Sequence, residues 1–240
     1  MKERANIAEQ NVLEFLYDLA KTNRQIEFLE FATLNFAPSI EKRFALSSED
    51  QAIVTEGLHL RSSLNLPFWD GVMLSASRTD VVPEGVLKAA TFHQSLPREL
   101  LRIPAASVTL DGLNTLSSAA SKSGKLLVLT SLVADTNGER HLRLLDFHCA
   151  YSASTTALVG AVIDLLGCHG TLLSSGKSYH FYGDPLLNGN DLRRFLGHAL
   201  LFEPIVDRAW IAHQLIEGCC ALRVSDRPEY GGPPVVIQRC

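Results

Sequence analysis

The sequence predicts a mixed α/β (α+β) fold. Apolar residues at helical spacing crowd the first half of the chain. Short apolar runs of strand length crowd the second half, and several of them deliver a chemically capable polar residue at one end. At 240 residues, 46% of them hydrophobic, the chain can build a full core as one large domain or two small ones.

Charged residues make up 20% and mean hydropathy is +0.09, ordinary for a globular protein. No apolar run reaches about 18 residues, so no membrane span is expected. The start, MKERANIAEQ, lacks an apolar core of the signal-peptide kind, which points to a cytoplasmic protein. Cys149, Cys168, Cys219, Cys220 and Cys240 show no CxxC spacing and read as reduced thiols rather than a zinc or disulfide framework. A net charge of −4 and a pI near 6.1 argue against a protein built for non-specific duplex binding. Arg193, Arg194, Arg208, Arg223 and Arg227 still leave room for a local basic groove.

Taken in order, residues 5–21 place Ile7, Val12, Phe15, Leu16 and Leu19 near one helical face. Glu27 to Phe36 fits helix or strand. Ser48 and Gln51 have capping-box spacing and open a helix to about Leu64, ended by Pro67. Val72 to Ala76 reads as a short strand. Residues 83–104 give a weak pattern, and Asp111 to Ala120 reads as helix. Leu126 to Ala134 is a near-continuous apolar run, expected as one strand buried on both faces. Asp135-Thr136-Asn137-Gly138 then turns the chain into a hairpin over 125–149, with Asp146 near the end of its second strand. Ser152 to Leu166 is helix, with Ser152 or Ser154 as N-cap and Gly167 at its end. Gly170 to Leu173 and Ser178 to Tyr182 are strand segments, and Pro185 to Phe202 is mostly helix. Ile205-Val206 leads to Asp207, followed by a helix from Ala209 to Glu217 and strands at 221–225 and 235–238. The expected organisation is a helical N-terminal region, 1–120, packed on a core formed by 121–240.

The stretch Arg140–Gly183 carries the chemistry, and three readings compete for it. Gly176-Lys177-Ser178 ends like the P-loop signature GxxxxGK(S/T). The first glycine should then fall on Thr171, but the glycine is Gly170, and the run after Ser178 is strand-like where a P-loop opens a helix. A nucleophilic triad of a serine, a histidine and Asp146 or Asp207 lacks a G-x-S-x-G elbow. The third reading is metal-assisted nucleotidyl transfer, with Asp146 and Asp207 converging on a divalent ion and a lysine and a histidine meeting a triphosphate.

The order of these residues resembles the archaeo-eukaryotic primase superfamily, which includes primase small subunits and primase–polymerases. Asp146-Phe147-His148 stands where that family carries a DxD acidic pair. Ser178-Tyr179-His180, preceded by Ser175-Gly176-Lys177, is similar to its S-x-H motif, and Ile205-Val206-Asp207 to its third, aspartate-bearing motif. The resemblance covers roughly 125–225. It implies a primase-like core with a mixed or antiparallel sheet and a DNA-directed primase or polymerase activity in replication, repair or defence. It also implies nucleoside triphosphates and single-stranded or primed nucleic acid as ligands, and a helicase or other replication protein as a partner.

By the same resemblance Asp146, His148 and Asp207 hold Mn2+ or Mg2+. Asp146, Asp207 and His180 are the catalytic set. Ser175, Lys177, Ser178, His180 and, more loosely, Arg223 hold the nucleotide. The departure is His148, where the family has a second acid. Imidazole suits transition metals better than magnesium, so manganese could be preferred or one ion held. The alternative is a catalytically weakened module that keeps nucleotide or nucleic-acid binding for a partner. Asp207 is open between a site and a helix cap, and Arg223 between a nucleotide contact and a solvated strand arginine. Trp69 and Trp210 read as core or interface.

Overall fold

A computed structural model describes residues 10–35, 46–92, 99–227 and 232–240. Among them, eight α-helices and two antiparallel sheets give an α+β fold. The chain forms two compact units, one from residues 1–35 and 98–240 and the other from 36–97.

In the larger unit, α1 (Val12–Thr22) begins with a capping box. The Asn11 side chain accepts the Leu13 and Glu14 amides, while the Glu14 carboxylate accepts the Asn11 amide. Its apolar face, Val12, Leu13, Phe15 and Leu16, is buried. The segment that fitted either state is a strand, β1 (Phe28–Asn35). It pairs with β2 (Glu99–Pro104) on one side and β3 (Lys125–Thr130) on the other, and β8 (Ala221–Arg223) completes a sheet of order β2-β1-β3-β8. Helix α5 (Leu110–Lys122) precedes β3.

The apolar run 126–134 is not one strand. It breaks at Ser131, and β4 (Leu132–Ala134) belongs to a second sheet. The Ser131 amide donates to the Cys220 carbonyl, beside β8, and its carbonyl accepts the Leu142 amide. One residue thus hands the backbone from one sheet to the other while both faces of the run stay buried. Periodicity alone has no signature for such a switch.

The second sheet adds β5 (Arg140–Asp146), β6 (His169–Ser174), β7 (Tyr179–Leu187) and β9 (Val235–Arg239), in the order β4-β5-β7-β6-β9. Between β5 and β6 runs α6 (Ala153–Leu165), N-capped by Ser152 and followed by Gly167 in the left-handed region (φ 63°). The expected helix from Pro185 starts later. Strand β7 continues to Leu187, and α7 (Gly189–Ala199) opens on Asn188, whose side chain accepts the Asp191 amide. Helix α8 (Arg208–Glu217) is N-capped by Asp207. Trp210 is buried and donates to the Ala221 carbonyl, a structural role.

The smaller unit contains α2 (Ser48–Leu64), α3 (Phe68–Ala76) and α4 (Glu84–Phe92). Ser47, one residue before the expected cap, accepts the Asp50 amide, so the Ser48–Gln51 box does not form. The expected strand Val72–Ala76 is part of α3. A five-residue apolar run looks the same whether it is a strand or one buried side of a helix. Val72 packs with Ile53, Val54, Val86 and Ala89. Helices α2 and α3 touch backbone to backbone, since a Cβ on Gly57 would stand 2.6 Å from the Val72 Cα. No helix among the described residues is long and apolar enough to cross a membrane.

Candidate functional site

The site is built on the pairing of β5 with β7. Asp146 and His180 are direct register partners, so their side chains share one face of the sheet. His180 Nε2 lies 3.8 Å from Asp146 Oδ1. Past Asp146 the chain stays bonded on both sides. The Phe147 amide donates to the Tyr179 carbonyl, and Phe147 forms an antiparallel bridge with Val206. The His148 amide donates to the Ile205 carbonyl and the Asp207 amide to the Asp146 carbonyl, at 2.8 and 3.0 Å. Residues 146–148 are therefore clasped between the start of β7 and the segment 205–207. Main-chain bonds, not side-chain reach, bring the two aspartates together.

Asp207 is a helix cap, and its second carboxylate oxygen faces His148. Its Oδ1 accepts the Trp210 amide at 2.8 Å as the cap of α8, and its Oδ2 lies 3.8 Å from His148 Nδ1. His148 is exposed.

Gly176-Lys177-Ser178 closes a hairpin between β6 and β7 rather than opening a helix. The Ser175 amide donates to the Ser178 carbonyl and the Ser178 amide to Ser175 Oγ. Gly176, at φ 93°, occupies a conformation other residues rarely adopt. The Ser178 hydroxyl donates to the Phe147 carbonyl, which ties the turn to the strand carrying Asp146. Lys177 is exposed at the tip. Arg223 is buried, not a solvated strand arginine. Its guanidinium donates to the carbonyls of Ser175 (2.7 Å), Gly232 (3.2 Å) and Ser225.

The electrostatics are uneven. Burial pushes the Asp146 carboxyl well above its ordinary range and the Asp207 charge adds to this, against the Phe147 amide and Arg223. A quarter of the Asp146 side-chain surface still reaches solvent. Burial also acts upward on Asp207, but the His148 hydrogen bond and the Trp210 amide outweigh it, and its pKa lies below the usual value. Burial, with the Arg223 charge, lowers His180 to about 3, so the ring is neutral at physiological pH. Its Nδ1 has no hydrogen-bond partner. The same holds for the hydroxyl of Tyr182, two residues along β7 on the same face, whose pKa burial raises.

Among the described residues no group of three or more His, Cys, Asp and Glu side chains stands ready to hold a metal ion. The donor chemistry nonetheless suits a divalent cation. Burial first, and the Asp207 charge after it, disfavour the Asp146 carboxylate, and a cation bound beside it would offset both.

Two residues of this region were not singled out in the sequence. Tyr182 is a buried polar group with no partner, which only the tertiary structure reveals. Tyr151 is an exposed aromatic close to Lys177, whose carbonyl accepts its amide. The spacing of motifs marks neither.

A family model described as archaeo-eukaryotic primase 1D-like matches residues 109–233. No curated protein and no solved structure gives a significant match. The matched segment is just over half of the chain and contains Asp146, His148, Ser175, Lys177, Ser178, His180, Asp207 and Arg223. With strand-borne Asp146 and His180 in register and Asp207 bonded to the same strand end, the chain belongs to the archaeo-eukaryotic primase 1D-like family.

Proposed function

We propose that this protein is a primase–polymerase-type nucleotidyltransferase that joins nucleotides on single-stranded or primed nucleic acid. The observation that carries this reading is the clasp of residues 146–148 between β7 and 205–207. It joins the segments that carry Asp146 and Asp207, with a neutral histidine, His180, opposite Asp146 on β7 and a lysine at the tip of the turn that precedes it. Asp146 and Asp207 hold a divalent ion, with His148 as the third donor beside Asp207. Bound there, Mn2+ or Mg2+ supplies neutralisation of phosphate charge and a more acidic attacking hydroxyl. Lys177 and His180 meet the triphosphate. Ser178, through the Phe147 carbonyl, fixes the turn against the acidic strand. Ser175 and Arg223 act by holding that turn in shape, and Arg223 adds a fixed positive charge behind it.

The second reading is a binding module that grips nucleotide or template for a partner such as a helicase. His148 in place of an acid, and the acidic pI near 6.1, favour it. Extension of a labelled primer and dinucleotide synthesis from NTPs, each with manganese and with magnesium, separate the two. Product with either metal, abolished by Asp146→Ala, is the expected result. NTP binding without product supports the binding module, and neither binding nor product overturns both.

A further inference from the structure

Among the described residues, two buried polar atoms without a hydrogen-bond partner belong to one short stretch of β7: His180 Nδ1 and the Tyr182 hydroxyl. The residues are 5% and 3% exposed, so bulk solvent does not stand in for a partner. A buried donor or acceptor left unmade costs its full desolvation, and two side by side call for an explanation. Alternate residues of a strand share a face and stand about 6.6 Å apart. An aromatic side chain is long enough to span such a gap.

The Tyr182 ring is held and its hydroxyl is aimed. The ring makes an edge contact with Phe15 of α1, centroids 5.3 Å apart and planes at 68°. The charges of Arg223 and Asp146 both act on the hydroxyl. Asp146 lies opposite His180, and the Arg223 guanidinium donates to the carbonyl of Ser175, in the turn that precedes β7. Both charges therefore lie on the His180 side of Tyr182, and the hydroxyl points along the strand towards that histidine.

Proton counting gives the bond its direction. The His180 ring is neutral, so it has one N–H and one lone pair. If Nδ1 donated to the tyrosine oxygen, the Tyr182 proton would have no acceptor. Nε2 would then turn a lone pair towards Asp146 Oδ1, 3.8 Å away. If the hydroxyl donates to Nδ1, one bond satisfies both orphaned atoms, and Nε2 carries its proton towards Asp146. The bond made by one ring nitrogen sets the state of the other.

We propose that Tyr182 is a positioning residue whose hydroxyl donates to His180 Nδ1 and keeps the ring proton on Nε2, the nitrogen that faces Asp146 and the bound nucleotide. That nitrogen then donates to a phosphate oxygen, which a lone pair there would repel. The phosphate end of this inference rests on the function proposed above; the bond between the two side chains does not.

The test uses the full chain. Histidine labelled with nitrogen-15 is observed by NMR at pH 7 with magnesium present, and the His180 signals are identified by their loss in His180→Ala. A protonated Nε2 beside an unprotonated Nδ1 is expected. Tyr182→Phe, which keeps the ring against Phe15, should abolish that preference and bring the two nitrogen shifts together. A proton on Nδ1 of the unmodified chain, or an unchanged tautomer in Tyr182→Phe, overturns the proposal. ATP affinity, by calorimetric titration with manganese, is expected to fall about fivefold in Tyr182→Phe, the loss of one ordinary hydrogen bond. In a His180→Ala background the same change should alter ATP affinity by less than about twofold, because Tyr182 acts through the ring. Equal losses in the two backgrounds would overturn the positioning role. If the unmodified chain does not bind ATP, the phosphate end falls, and the His180 tautomer alone decides the bond between the side chains.

Discussion

Asp207 spends its two carboxylate oxygens differently, one on the Trp210 amide and one towards His148. Substitution separates the two uses. Asn is as good a cap as Asp, whereas Ala is not. Asp207→Ala should therefore melt below Asp207→Asn by the equivalent of about 1 kcal/mol, while both lose metal-dependent nucleotide binding. Thermal melts with and without manganese and ATP read both effects. Asp146 is the opposite case, a carboxylate disfavoured where it stands. Its folded-state pKa lies above the unfolded one, so between the two the folded chain binds more protons than the unfolded chain, and stability falls as pH rises through that window. With the metal chelated, Asp146→Asn should raise the melting temperature at pH 7. It should also flatten the decline seen on going up from about pH 4, near the ordinary carboxylate value. A lower melting temperature for the variant at pH 7 would contradict the direction of the shift.

At the scale of the element, the β6–β7 hairpin is the tightest part of the site's support. Gly170 and Gly183 face each other in register. A Cβ on Gly183 would stand 2.7 Å from the Phe181 ring carbon Cζ, and one on Gly170 would stand 2.6 Å from the Gly183 Cα. Gly183→Ala should cost about 1–3 kcal/mol, the usual penalty of overpacking, read as a lower urea midpoint with an unchanged slope. The sequence shows neither glycine's role, because the crowding comes from the partner strand at Gly170 and from the set of the buried Phe181 ring at Gly183. It does show the two strand segments of the hairpin, α5, α6 and the strand that ends in Asp146, since caps, turn residues and period are local signals. Three readings failed where local pattern and tertiary role part company. Val72–Ala76 is helical because one face of α3 is buried against its neighbours. Residues 126–134 change sheets at Ser131, and β7 continues through Pro185 to Leu187. For the site, Asp146, His180 and Asp207 were legible as polar residues delivered by apolar runs. Their convergence was expected from the chemistry of the residue types, but the main-chain bonds that produce it join segments about 60 residues apart in sequence and have no local signal.

Across the whole molecule, residues 36–97 form a compact unit inserted between β1 and β2. The two strands that flank it are neighbours, with Thr33 opposite Glu99. Replacing 36–97 with a short Asn-Gly turn should leave the larger unit folded, with one cooperative melt and unchanged sheet content by circular dichroism. Loss of the cooperative melt would show that the sheet depends on the insertion. The same register has an evolutionary reading. Lengthening a loop between ends that are already paired costs only about 0.6 kcal/mol per doubling, so this junction behaves as a socket into which cargo of almost any size can be spliced. Related chains should accordingly differ most in length between the positions of Asn35 and Glu99. The pairing of Asp146 with His180 admits no such slippage, because a shift of one residue would turn one of the two to the opposite face.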